Sequence, residues 1–246
     1  MSFEKVSRDW TRLGAADPLW AVSVAPDKRG GRWDVEQFLA TGRADVAATM
    51  VWLDRLKLPQ HWEKALDFGC GAGRLSQALT EYAGEVVGVD VSAPMLDTAR
   101  KLDTNNRCRF VLNQEPNLNL FADNEFDLIY SDLVLQHLPR KLIERYLGEL
   151  VRILEPGGIA VLSCTTRPLW TFKGVIWRFV PGALVRLGQR TVLRYPAPMR
   201  MTAMSQRRIE TVLSQHNAHI IDAVSTDDRA AHWRSTRYVI ARLPTI

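Results

Sequence analysis

Three glycines spaced two apart, Gly69, Gly71 and Gly73, stand directly behind the apolar run Ala65-Leu-Asp-Phe68. No other stretch of the chain limits its fold so tightly. Glycine reaches the positive-φ backbone that turns a strand sharply into a helix, and without a Cβ it lets a ligand come close to the main chain. The helix predicted over about Arg74 to Tyr82 then offers free N–H groups at the loop, a setting that suits a nucleotide or a carboxylate. A dinucleotide fingerprint would need its third glycine at position 74, where this chain has Arg74. Glu85-Val-Val-Gly-Val-Asp90 reads as the next strand and ends in an acid 21 positions beyond Gly69. A carboxylate there can take both ribose hydroxyls of a nucleoside, and a nucleoside without pyrophosphate has no need of the dinucleotide spacing. The plainer reading of the same residues is a tight turn followed by a solvated acid.

Short apolar runs alternate with helix-length segments from about Ala65 onward. Arg109-Phe-Val-Leu112, Phe126-Asp-Leu-Ile-Tyr130 and Ile159-Ala-Val-Leu-Ser163 are predicted strands. Ala93 to Leu102 and Pro139 to Leu154 are predicted helices, the second stopped by Glu155-Pro-Gly-Gly158. Such buried runs separated by helices predict a mostly parallel α/β sheet covered on both faces. Ser205 to Gln215 adds a helix, and two late strands, His219 to Ser225 and Thr236 to Arg242, complete a seven-stranded sheet. The 246 residues fit one such domain with additions. Residues 1–62 read as an N-terminal helical extension or cap, and 63–246 as the main domain with a lid-like helical insertion at about 166–204.

Leu66-Asp-Phe-Gly-Cys-Gly-Ala-Gly-Arg-Leu-Ser76, Val87-Gly-Val-Asp-Val-Ser92 with Met95, Phe126-Asp-Leu-Ile-Tyr-Ser131, Val134-Leu-Gln-His-Leu-Pro139 and Leu154-Glu-Pro-Gly-Gly158 follow one another in order. Together they resemble the successive motifs of class I S-adenosylmethionine-dependent methyltransferases, over roughly residues 62–165. Asp17-Pro-Leu-Trp20 and Lys28-Arg-Gly-Gly31 resemble the lead-in of a bacterial small-molecule subgroup of these enzymes. The resemblance implies a Rossmann-like fold with S-adenosylmethionine as cofactor. It places Asp67, Gly69, Cys70, Gly71 and Gly73 at the methionyl end, and Asp90 on the ribose. Val91 and Met95 would lie beside the adenine, Asn117 with the Leu118 backbone at its amino group, and Ser131 near the transferable methyl. Asn113-Gln-Glu-Pro-Asn-Leu118 departs from the commoner Gly-Asp-Ala pattern, which leaves the adenine assignment open by several residues.

Methyl transfer from a sulfonium is an in-line displacement, so the protein's task is mostly to align the acceptor. A hydroxyl acceptor gains from a base, for which His137 is the first candidate and Asp132 the second; packing of the site is the alternative role for both. No metal-ligand spacing is present, and Cys70, Cys108 and Cys164 show no pairing pattern, as expected in a reducing cytosol. The charged stretch Met1 to Trp20 lacks the apolar segment of a secretory signal, and no run is long enough for a membrane span, so the expected location is cytoplasmic.

The net charge is +5, yet the nine basic residues between Pro156 and Ile209 meet no acidic residue, which leaves −4 for the remainder. Leu169, Phe172, Ile176 and Phe179 recur at helical spacing, with Trp170 and Trp177 nearby, and Arg186, Arg190 and Arg194 fall four apart on any helix that continues that far. The insertion admits three readings: a lid packed on the core with a solvated basic face, an element lying on anionic membrane through 167–194, or a site for an anionic substrate. Nucleic acid is disfavoured, since no recognition module accompanies the basic residues. Trp10 and Trp20 either anchor a helix or roof the acceptor pocket, and Trp233 reads as packing. The expected activity is methylation of a small or lipid-like acceptor, with O-transfer favoured. The alternatives are a non-catalytic cofactor-binding partner subunit and a nucleotide-dependent oxidoreductase.

Overall fold

The computed structural model describes residues 2–230 and 232–244; Ala231 and the side chains of Lys173 and of residues 226–230 lie outside the described residues. Seven strands form one sheet: β1 (Trp62–Phe68), β2 (Ala83–Asp90), β3 (Cys108–Leu112), β4 (Phe126–Ser131), β5 (Leu154–Pro168), β6 (Ala218–Ala230) and β7 (Trp233–Arg242). Their order is β3-β2-β1-β4-β5-β7-β6. β7 runs antiparallel to both β5 and β6, so it alone runs against the sheet. The central strands read as nearly continuous apolar runs because both of their faces are covered. Leu66, Phe68, Val87, Val89 and Ile129 enter one core cluster, while Ala65, Val86, Leu128 and Tyr130 enter the other.

The first face is covered by α6 (Arg140–Ile153) and α9 (Gln206–Ser214), the second by α3 (Val35–Arg55) and α4 (Arg74–Leu79). Val46, Met50 and Leu53 of α3 pack with Leu75, Ala78 and Leu79 of α4. Full burial of each such large side chain stabilises by roughly 1.5–3 kcal/mol. Asp34 caps α3 by accepting the Gln37 N–H at 2.9 Å, and Ser92 caps α5 (Ala93–Leu102). The buried Arg237 of β7 donates to Thr49 Oγ1 of α3 and, at 2.6 Å, to Tyr130 Oη of β4. It lies over the Trp52 and Tyr130 rings, so its charge is held by two hydroxyls and two aromatic faces.

Several element boundaries differ from the sequence reading, among them both ends of β5. The residues Leu154 to Gly158, predicted as a helix end and stop, begin β5, because Leu154 pairs with Phe126 and a register shift between Phe126 and Leu128 takes up the extra length. β5 also runs on to Pro168, paired with Trp233, where the sequence reading ended the strand at Ser163.

α1 (Phe3–Ala16) and α2 (Pro18–Val22) lie at the carboxyl ends of the strands, where the insertion meets them. Phe3 and Val6 join the cluster containing Val89 and Leu135, while Leu13, Trp20 and Ala21 pack with Met95, Ala197 and Met199. The insertion contributes α7 (Phe172–Phe179) and α8 (Gly182–Thr191). It is tied to the N-terminal segment by Asp9, whose oxygens lie 4.0 Å from Arg190 Nη2 and 3.8 Å from Arg200 Nε. Arg29 adds a second tie, donating to the carbonyls of Leu193, at 2.7 Å, and Arg194. Arg194 does not continue the α8 face as the spacing suggested: the helix ends at Thr191 and Arg194 has φ +52°.

Candidate functional site

The glycine loop and Asp90 brace each other. Gly69 (φ +76°) and Cys70 both donate to Val89 O, at 2.8 and 3.1 Å. Gly71 donates to Asp90 Oδ2 at 3.0 Å, and Ser92 donates to Asp90 Oδ1 at 2.8 Å. Burial raises the Asp90 carboxyl above its ordinary range, and the N–H bonds from Gly71 and Ser92 oppose the shift. A Cβ on Gly69 would stand 2.5 Å from Val134 Cγ2, and one on Gly71 2.6 Å from Val22 Cγ2. The loop therefore passes as close to its neighbours as a backbone without side chains allows.

Above this loop opens a cavity of about 420 Å³. Of the residues that the sequence marks, Gly69, Cys70, Gly71, Asp90, Val91, Met95, Asp132 and His137 line it. Cys70 does so with its thiol pushed well above its ordinary value by burial. Asp67, Gly73, Asn117, Leu118 and Ser131 do not line the cavity. Asp67 lies buried behind the loop and accepts from Ser76 Oγ at 2.6 Å. Burial pushes its carboxyl up to about 7, against the lowering pull of that hydroxyl and of Arg74. Gly73 (φ +80°) opens α4, where a Cβ would press on Phe110 Cζ at 3.0 Å and on the Ala99 Cβ at 3.1 Å. Ser131 Oγ donates to Phe68 O at 2.8 Å and so joins the ends of β4 and β1 beneath the loop.

The residue of the 113–118 stretch that reaches the cavity is Asn113. Its side chain donates to Asn117 O at 2.9 Å, while the Asn117 amide oxygen accepts the Asn119 N–H. Leu118 is fully buried and its N–H is taken by Glu149 Oε2 at 2.8 Å. Asn113 immediately follows β3 and donates its N–H to Asp90 O at 2.9 Å. The end of β3 marks it, just as the end of β2 marks Asp90.

The turn after β4 carries Asp132 into the cavity wall and holds Leu133 at φ +62°. Leucine rarely occupies that region, at a cost of roughly 1–2 kcal/mol. The Leu133 N–H is fixed on Ser163 Oγ at 2.8 Å, and Leu133 and Val134 both face the cavity.

His137 Nδ1 lies 2.6 Å from Arg200 O. A carbonyl only accepts, so Nδ1 carries the hydrogen and Nε2 keeps its lone pair. The Gln136 amide nitrogen sits 3.5 Å from Nε2, and the Trp10 ring meets the imidazole edge-on with centroids 5.0 Å apart. Burial lowers the His137 pKa to about 4, partly offset by the Arg200 carbonyl. The unfolded chain then binds a proton that the folded chain refuses between about pH 6.5 and 4, so stability falls as pH drops through that window. Urea unfolding at neutral pH and near the lower end of that window should show a wild-type loss about 2 kcal/mol greater than that of His137→Gln. Equal losses in the two proteins would show that His137 does not titrate this way.

Several lining residues carry no mark in the sequence pattern. Gln136 and Gln189 are buried and each keeps an amide oxygen without a hydrogen-bond partner among the described residues. Trp233, read as packing, lines the cavity and meets Trp177 of α7 edge-on at 5.7 Å. Of the two N-terminal tryptophans, Trp10 roofs the cavity, while Trp20 is buried beside Tyr195. Among the described residues no group of three or more His, Cys, Asp or Glu is gathered for a metal ion.

Residues 66–162 match the family described as "Methyltransferase domain". The chain is 32% identical over 139 residues to the demethylmenaquinone methyltransferase of Lactiplantibacillus plantarum, covering 49% of this chain and 58% of that protein. It is 29% identical over 138 residues to the ubiquinone biosynthesis O-methyltransferase of a Bradyrhizobium species, covering 54% of this chain and 47% of that protein. The chain thus spans about half the length of these curated relatives. In structure it resembles the magnesium protoporphyrin IX methyltransferase of Synechocystis, solved with bound S-adenosylhomocysteine, with a TM-score of 0.63, 20% identity and coverage of 96% of this chain and 99% of that one. Residues 66–162 thus match a methyltransferase domain set on a Rossmann-like sheet, and S-adenosylmethionine is the cofactor that the site has to fit. The glycine cradle that a Cβ would fill and the braced Asp90 fit that cofactor, and Asn113 lines the same cavity.

Proposed function

We propose that this chain methylates an oxygen of a small, hydroxylated aromatic acceptor of the quinol type. The observation that carries the reading is the wall of the cavity, lined by Trp10, Trp177, Trp233 and Tyr195 together with a His137 that burial keeps neutral and whose Nε2 meets only the Gln136 amide nitrogen, at 3.5 Å. Aromatic walls favour a flat apolar ring over a charged acceptor. The names of the quinone-related relatives support the same class.

S-adenosylmethionine supplies a methyl group already activated on a sulfonium. Asp90 would hold the ribose, Asn113 would meet the base, and the glycine loop would admit the methionyl portion to the backbone. The aromatic residues would fix the acceptor ring, which is the proximity and orientation that an in-line transfer chiefly requires. His137 Nε2 would accept the hydrogen bond of the acceptor hydroxyl in place of its long contact with the Gln136 amide nitrogen, and so orient the oxygen. An imidazole with a pKa of about 4 is a weak base, so the hydroxyl proton would pass to Nε2 late, as the new C–O bond forms and the methyl–sulfur bond breaks. In this reading residues 1–62 serve as the cap and the 166–204 insertion as the lid, since α1 and α7 both contribute to the walls.

The test is incubation of the purified chain with S-adenosylmethionine and a set of phenols, catechols and hydroquinones, with products placed by mass spectrometry and NMR. A single O-methyl ether is expected, with turnover reduced at least roughly tenfold in His137→Ala. Methyl groups on ring carbons or amines, or no turnover by protein that binds S-adenosylhomocysteine, would overturn the reading.

A further inference from the structure

We infer that the α7–α8 surface docks on a bilayer of anionic lipids, where it receives an amphipathic acceptor for the cavity. The delivery step rests on the acceptor class proposed above; the docking step does not.

The helical stripe that could have packed on the core faces outward. Phe172 is 84% exposed and Phe179 69%, while Ile176 and Trp177 of the same helix are half-buried. Trp170, 75% exposed, and Val192, 78% exposed, extend the apolar surface at either end, with Leu184 and Leu187 of α8 between them. So many large apolar side chains in one short segment exceed the scatter of single exposed residues on an ordinary soluble surface.

Charge selects the occupant. Residues 167–194 hold six basic side chains and no acidic one. Arg178, Arg190 and Arg194 are exposed, and Arg178 lies over the Trp170 ring at 4.3 Å. Arg29 adds a further positive charge where it holds the end of this segment through the Leu193 and Arg194 carbonyls. A second copy of the chain would oppose this face with the same positive charge, which is unfavourable. An anionic bilayer supplies both an apolar layer for Phe172, Phe179 and Trp170 and negative headgroups for the arginines. None of the described helices is long and apolar enough to cross a membrane, so the contact is peripheral. Trp177 links the surface to the site, because it sits on α7 and lines the cavity.

Flotation of the full chain with phosphatidylcholine vesicles, with and without phosphatidylglycerol, tests the docking. Binding is expected on the anionic vesicles alone and should fall as salt is raised. Phe172→Ser with Phe179→Ser, and separately Arg178→Ala with Arg186→Ala, should each weaken it roughly tenfold or more. Both variants should bind S-adenosylhomocysteine as the wild type does, since none of these four residues lines the cavity. Equal binding to neutral vesicles, unchanged binding in either variant, or a dimer in solution that the Phe172 and Phe179 changes dissolve in place of vesicle binding would overturn the inference. Methylation of a water-soluble phenol is read in the same samples. Absence of flotation by the wild-type chain with that turnover intact counts against docking alone; absence of turnover with flotation intact counts against the proposed reaction alone.

Discussion

Asp90→Ala is expected to weaken S-adenosylhomocysteine binding by roughly a hundredfold or more, as measured by calorimetry. Both carboxylate oxygens already organise the site, one holding the Gly71 N–H and the other the Ser92 N–H. Each retains a further lone pair for a ribose hydroxyl. Removing the carboxylate loses hydrogen bonds to a charged acceptor, at about 1.5–3 kcal/mol apiece, and also frees the glycine loop. Two such bonds alone account for the expected factor. Asp90→Asn keeps one carbonyl oxygen for one N–H and should fall between the wild type and the alanine variant. The fold should survive both changes, because Asp90 lies at a strand end and its side chain joins none of the core clusters. A folded Asp90→Ala protein that binds within roughly threefold of wild type would remove Asp90 from the cofactor site.

Gly69→Ala should be nearly as damaging, for a reason that lies in the backbone. Its φ of +76° disfavours any side chain, by roughly 1–2 kcal/mol. Its Cβ would also stand 2.5 and 2.6 Å from the two methyl groups of Val134, with the Val134 Cβ only 3.1 Å away. A branched side chain cannot rotate both methyls clear, so the turn that carries Asp132 and Val134 has to move, at about 1–3 kcal/mol more. We expect a loss of about 2–5 kcal/mol in thermal or urea unfolding, and cofactor binding weakened with it. Gly157→Ala is the control. It has φ +85° too, but open space around the position of its Cβ, and it lies far from the loop along the chain. That variant should show the backbone cost of about 1 kcal/mol and normal binding. Similar behaviour of the two variants would mean that crowding against Val134 has no part in the loop.

The core of the fold and half of the site are legible in the amino-acid sequence. Leu66 and Phe68, Val87 and Val89 lie in short apolar runs whose length and punctuation admit little besides buried parallel strands. The glycine spacing and Asp90 follow from those runs, because a strand end, a tight turn and a helix start are local matters governed by sterics. Asn113 belongs to the same logic. The loop after β3 lacks the usual pattern and so points toward Asn117, although the strand end itself marks Asn113. The extent of β5 is harder to read, since Leu154 is a strand residue only through its pairing with Phe126.

Local pattern does not decide which partner each variable segment meets. Periodicity shows that Phe172, Ile176 and Phe179 share a helix face, yet the direction of that face depends on where α7 crosses the cavity. Trp10 and Trp20 are equivalent as sequence; one roofs the cavity against His137 and the other is buried beside Tyr195. The state of His137 rests on the Arg200 carbonyl, 63 residues away. From sequence alone, then, the glycine loop, the acid that ends β2 and a resemblance to class I methyltransferases are legible, because a strand end, a tight turn and a helix start are set by backbone sterics within one βαβ unit. The aromatic wall of the cavity and the outward basic surface were settled by tertiary packing, because contacts between segments far apart in the chain leave no periodic trace in either segment.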